Sequence, residues 1–273
     1  MSTFSASFLT LLGLVLSFLV LAWLSWQISR HLRLLVVYIT GSVDFSTVIF
    51  FLILLPGIII HEAAHWITAY ILGLKPSQFR VWPKSQGRFI GLGSVKVRRG
   101  NLWQDNLVGL APLIIGSSLL ALIGQRIFFA DQISTAVLQG RWIEALQDFW
   151  QVLSTADGAL WAYLLFVIGN AMMPSVSDRE SLKPLLLYVV LAALLYFVIG
   201  LPLSSLAAVL DRIRPTIEDL TGAFIFTIIL DGIILIVIYL LEALVGPRAG
   251  QALQVERAKP KVRTDKKRGS TNK

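Results

Sequence analysis

Apolar runs separated by short polar punctuation dominate the chain. They cover residues 7–29, 48–74, 106–128, 159–173, 184–210 and 220–245. A helix needs about 20 apolar residues to cross a bilayer, so the pattern predicts about six transmembrane helices. Between the second and third runs the period changes. Residues 77–82 and 87–98 alternate loosely between apolar and basic or polar positions, with Pro83 and Gly87 between the pieces. That predicts a small β-hairpin or sheet insertion at the membrane interface within 75–105. Residues 139–153, inside the mixed-charge loop 129–156, read as an interfacial amphipathic helix. The expected fold class is an all-α polytopic membrane protein with a small β insertion after the second helix. Residues 1–47 would hold the N-terminal helix and loop, 48–183 a core of three helices with the β segment, 184–246 two further helices, and 247–273 a basic disordered tail.

Composition sharpens this picture. The 273 residues are 56% hydrophobic and 15% charged, with a mean hydropathy of +0.73. A soluble domain carries roughly 25% charged residues, so composition and pattern agree on a membrane protein. The first run has no basic segment before it and is long for a signal peptide, which predicts a retained helix. The net charge of +8 is not a nucleic-acid footprint, because nine Lys and Arg against Glu256 and Asp265 sit in 247–273. A basic tail behind the last apolar run reads as a cytoplasmic anchor. With about six spans, both termini and the basic 75–105 loop would face the cytoplasm, most simply at the plasma membrane.

The second run carries the chemistry. It contains His61-Glu62-Ala63-Ala64-His65, an H-E-x-x-H motif, and holds two of the three histidines in the chain. On a helix, His61 and His65 lie one turn apart on one face, so both imidazoles can reach one metal ion. Glu62 projects beside them, where a carboxylate can take a proton from water. Such groups are costly at membrane depth, which makes the cluster a functional-site hypothesis. The competing reading is a chance match whose polar groups are satisfied between packed helices. With eight residues from His65 to Gly73, the site would lie ~12 Å from the inner surface. There is no Cys, which leaves a metal to imidazole and carboxylate, as in catalytic zinc sites.

A third ligand has two candidates. Asp178 follows a span that breaks at Asn170 and Pro174, from which an unwound segment can turn a carboxylate back toward the motif. Asp231 is a carboxylate in the middle of the last apolar run and needs a partner there. His31, Glu144, Glu180 and Glu218 read as interfacial charges.

The segment from His61 to Lys75 resembles the zinc-binding core helix of the site-2 protease family of intramembrane metalloproteases. Ala111-Pro112-Leu113 is similar to that family's second motif, without its Gly before Pro. Asn170, Pro174 and Asp178 resemble its Asn-x-x-Pro and Asp motif, with Pro174 one place late and Arg179 where a Gly is common. The resemblance covers roughly residues 48–180. It implies Zn2+ held by His61, His65 and Asp178, Glu62 as general base and then acid, and Asn170 as a substrate-orienting residue. The partners would be the lipid bilayer and a transmembrane peptide or protein substrate, unwound and added as a strand to the interfacial β segment. A related class of H-E-x-x-H membrane proteases draws a glutamate ligand from a large soluble region, and no loop here is that large. The non-enzymatic alternative is a transporter or scaffold with a degenerate site, which Asp231 favours and the lack of an inverted repeat disfavours.

Overall fold

The structure, a computed structural model, describes residues 3–76, 78–80, 84–86, 89–91, 94–96, 100–200 and 202–258. Among them the chain forms eight α-helices: α1 (Thr3–Thr40), α2 (Val43–Ile71), α3 (Leu102–Arg126), α4 (Ala130–Leu138), α5 (Trp142–Leu153), α6 (Gly158–Ala171), α7 (Val176–Val198) and α8 (Leu203–Ala258).

This corrects the expected fold class on two counts. Among the described residues four helices, not six, are long and apolar enough to cross a membrane: Phe8–Thr40, Val43–Ile71, Leu102–Arg126 and Ser204–Gly246. A fifth span exists only if α5 and α6, bent by 109°, are taken together. Helix α6 alone has 14 residues, about 21 Å at 1.5 Å per residue, which falls short of a ~30 Å hydrocarbon core. The expected fifth run is divided at Gly200, where φ is +73°. Its second half joins the sixth run in one 56-residue helix that continues through the charged segment 211–219. An Arg214–Glu218 pair at 2.7 Å, one turn apart, suits that continuity. The other correction concerns residues 75–105. Among the described residues the segment does not form one sheet. Four three-residue strands, β1 (Gln78–Arg80), β2 (Lys84–Gln86), β3 (Phe89–Gly91) and β4 (Ser94–Lys96), make two separate antiparallel pairs, β1 with β4 and β2 with β3. Three residues is well under the usual strand of about 5–6, too short to carry a buried face. The architecture is helical.

Helices α1 and α8 run parallel. Phe18 meets Phe224, Gln27 bonds Tyr239, and His31 bonds Glu242 at 2.9 Å. Helix α8 also extends through Ala258, into the expected tail; residues 259–273 lie outside the described residues.

Local sequence explains the helices that matter for the site. Ser42 caps α2 by accepting from the Phe45 N–H, with Asp44 in the first turn favourable to the helix dipole. Asn101 and Gln104 form a reciprocal capping box at the start of α3. Helix α2 continues through Pro56, and Gly57 lets α6 approach to backbone contact. A Cβ at Gly57 would sit 2.1 Å from the Val167 carbonyl oxygen. A Cβ at Gly116 would meet Met172 at 2.6 Å, so α3 also closes on the end of α6. Small residues serve here as they do in membrane bundles generally, by allowing dispersion contacts at short range. Large apolar side chains remain exposed along α1 and α7, including Leu16, Leu19, Leu191 and Phe197. Apolar surface of that extent suits a lipid solvent.

Candidate metal centre

The close approach at Gly57 sets the site one turn further on. His61 follows Gly57 by one turn of α2, and Ala171 follows Val167 by one turn of α6. The His61 Nδ1 lies 2.7 Å from the Ala171 carbonyl oxygen. Ala171 is the last residue of α6, so its carbonyl has no intrahelical partner and is available to accept. His65 finds its support on α3, where its Nδ1 lies 2.8 Å from the Val108 carbonyl oxygen. Val108 sits mid-helix, yet its carbonyl is also unclaimed. Its intrahelical donor would be residue 112, which is Pro112 and has no N–H. Two carbonyls released for different reasons, a helix end and a proline, thus hold the two imidazoles.

With Nδ1–H spent on a carbonyl, each ring turns its Nε2 inward. The two Nε2 atoms are 3.2 Å apart. Asp178 completes the triangle, its Oδ1 3.3 Å from His65 Nε2 and its Oδ2 3.6 Å from His61 Nε2. Its aim is set by the start of α7. Ser175 and Asp178 form a capping box in which the Ser175 hydroxyl accepts from the Asp178 N–H and the Asp178 carboxylate accepts from the Ser175 N–H at 2.8 Å. Burial opposes charge on Asp178, but hydrogen bonds with His65 and the Ser175 hydroxyl, the His65 charge and the Ser175 N–H outweigh it. Together they hold the carboxyl at about 2, below its ordinary 3.8.

Three electron-pair donors facing one another at these distances are reconciled either by a shared proton or by a cation. A tetrahedral ion roughly 2.0–2.1 Å from each ligand atom would separate those atoms by about 3.3 Å. The observed 3.2–3.6 Å matches that edge length. His61, His65 and Asp178 are also the group among the described residues whose ligand atoms could hold a metal together. The donor set, two imidazoles and a carboxylate, fits zinc. Glu62, on the same helix as the two histidines, is buried at 8% exposure.

The other sequence candidates fall elsewhere. Asp231 is fully buried, but its carboxyl oxygens lie 3.3 and 3.2 Å from Asn170 Nδ2 and outside the triangle. Asn170, expected to face substrate, turns its amide toward α8. Glu144 pairs with Arg141, Glu218 with Arg214, and His31 with Glu242; the Glu180 side chain lies outside the described residues. Val108, Ala171 and Ser175 escaped the sequence reading. A proline four residues after Val108 and a Ser-x-x-Asp box at 175–178 were the signals available for two of them.

Among the described residues the chain is helical, with four helices long and apolar enough to cross a membrane and a His61-His65-Asp178 group that could hold a metal. No protein-family model matches the chain, and no curated protein or solved structure matches it either.

Proposed function

We propose that this protein is an intramembrane zinc metalloendopeptidase that hydrolyses peptide bonds of transmembrane substrates. One observation carries the reading: the two imidazoles of an apolar membrane helix and a carboxylate more than a hundred residues later converge at zinc-ligand spacing, with Glu62 buried beside them. When bound, zinc supplies a Lewis acid that acidifies water and polarises a carbonyl. His61, His65 and Asp178 would hold it, and the Ala171 and Val108 carbonyls keep both rings in the ligating orientation. Glu62 would accept the proton released by the attacking water and deliver it to the departing amide nitrogen. The buried surroundings strengthen these electrostatic interactions and limit water to the reacting molecule. Since His61 and His65 sit on the half of α2 nearer the basic 75–99 segment, water would enter from the cytoplasmic face of the plasma membrane.

The test is zinc content of detergent-purified protein, followed by cleavage of membrane-spanning peptides. Wild type should carry about one zinc per chain, lost in His61→Ala and Asp178→Ala, and Glu62→Gln should keep zinc while losing cleavage. Full peptide cleavage by Glu62→Gln, or a folded wild type that takes up no supplied zinc, would refute the proposal and favour the transporter or scaffold alternative.

A further inference from the structure

Asp231 is an expensive residue to keep where it is: a carboxyl with 0% exposure, in the apolar centre of α8, with no cationic side chain against it among the described residues. Leucine would pack such a position without a polar group to satisfy. Its hydrogen-bond partner is informative. Asn170 Nδ2 donates to the Asp231 carboxyl and to the Phe166 carbonyl at 2.9 Å. Asn170 stands in the last turn of α6, one residue before the Ala171 carbonyl that receives His61 Nδ1–H. The same turn is gripped from two further directions. The Ser25 hydroxyl of α1 donates to the Asn170 carbonyl at 3.4 Å, and Thr227 of α8 packs where a Cβ on Gly169 would meet it at 3.0 Å. Helix ends fray and their terminal carbonyls wander unless fixed. Here the terminal carbonyl orients a ligand ring, so a fixed end has chemical value.

We propose that Asp231 is a positioning residue for the metal centre. By holding the Asn170 side chain it fixes the last turn of α6, and through the Ala171 carbonyl it sets the orientation of His61. This rests on the metal-centre reading above and extends it to a helix that contributes no ligand. It also explains why the chain keeps a second buried carboxylate that the triangle excludes. What α6 requires is an acceptor on α8, not a charge.

The experiment titrates Co2+ into the detergent-purified full-length protein and follows its visible absorption, which reports both affinity and ligand geometry without turnover. Asp231→Asn retains an acceptor for Asn170 and should bind Co2+ with wild-type affinity and spectrum. Asp231→Leu should bind about 10-fold or more weakly, as loss of outer-shell support does elsewhere, with an altered spectrum. If Asp231→Leu does not fold, Asn170→Leu/Asp231→Leu removes both partners, a change that is often near neutral for stability, and should show the same weakening. A folded Leu variant, single or double, with wild-type Co2+ binding would overturn the positioning role and leave the metal centre standing. Loss of Co2+ in Asp231→Asn as severe as in Asp231→Leu would also overturn it, because charge rather than acceptance would then matter. A wild type that binds no Co2+, or whose binding survives His61→Ala, would remove the metal centre itself and the positioning role with it.

Discussion

Pro112→Ala separates the support of a ligand from the stability of the fold. Proline leaves the Val108 carbonyl without its helical donor, and the ring tilts that carbonyl away from the helix axis, where His65 Nδ1 meets it at 2.8 Å. Alanine restores an N–H at position 112, which draws the carbonyl back into line and away from His65. A carbonyl can accept two bonds, so His65 is not stripped of its partner; it loses the geometry that aims Nε2. Losing an outer-shell orienting bond lowers metal affinity by about 10–100-fold, or ~1.4–2.7 kcal/mol. Stability moves differently. A proline in a helix interior costs ~3 kcal/mol relative to alanine, and deleting buried ring atoms at Pro112, which is itself buried, costs about 1–2 kcal/mol. The variant should be as stable as wild type or slightly more so. Zinc competition against a chromophoric chelator, with thermal unfolding in excess chelator as the companion assay, reads both quantities. Pro215→Ala in α8, remote from the triangle, serves as the control and should leave affinity unchanged. A Pro112→Ala protein that folds and binds zinc as wild type does would refute the idea that this proline releases a carbonyl for His65.

Glu62→Gln should reduce turnover by about 10²–10⁴-fold while zinc content stays at the wild-type level, checked by peptide cleavage beside metal analysis. Asp178→Asn keeps an acceptor for the Ser175 N–H, so α7 should remain capped in circular dichroism, yet zinc should be lost because the anionic ligand is gone. Gly57→Ala places a Cβ 2.1 Å from the Val167 oxygen, forcing α2 and α6 apart. It should destabilise the protein by about 1–3 kcal/mol in a denaturant titration and weaken zinc by withdrawing the Ala171 carbonyl from His61.

The sequence alone determined what local chemistry can encode. Apolar length marked α1, α2 and α3 as helices long enough to cross a membrane, and the i, i+4 spacing of His61 and His65 put two imidazoles on one face before any fold was known. Asp178 was also legible as a third donor, although Asp231 remained its rival, because a sequence shows which carboxylates are expensive but not which neighbour answers each one. Only the tertiary structure decided that. It set Asp231 against Asn170 and turned Asp178, aimed by its Ser175 cap, toward the histidines. The number of spans was misread for a related reason. Composition marks residues 159–173 and 184–210 as apolar, but whether such a run crosses depends on where its helix bends and what it packs against. The β segment was misread similarly, since alternation predicts a face and only a partner surface joins short strands into one sheet. Even the role of Pro112 was hidden in plain sequence. Proline announces a free carbonyl four residues back, but that it faces His65 follows solely from how α3 lies against α2.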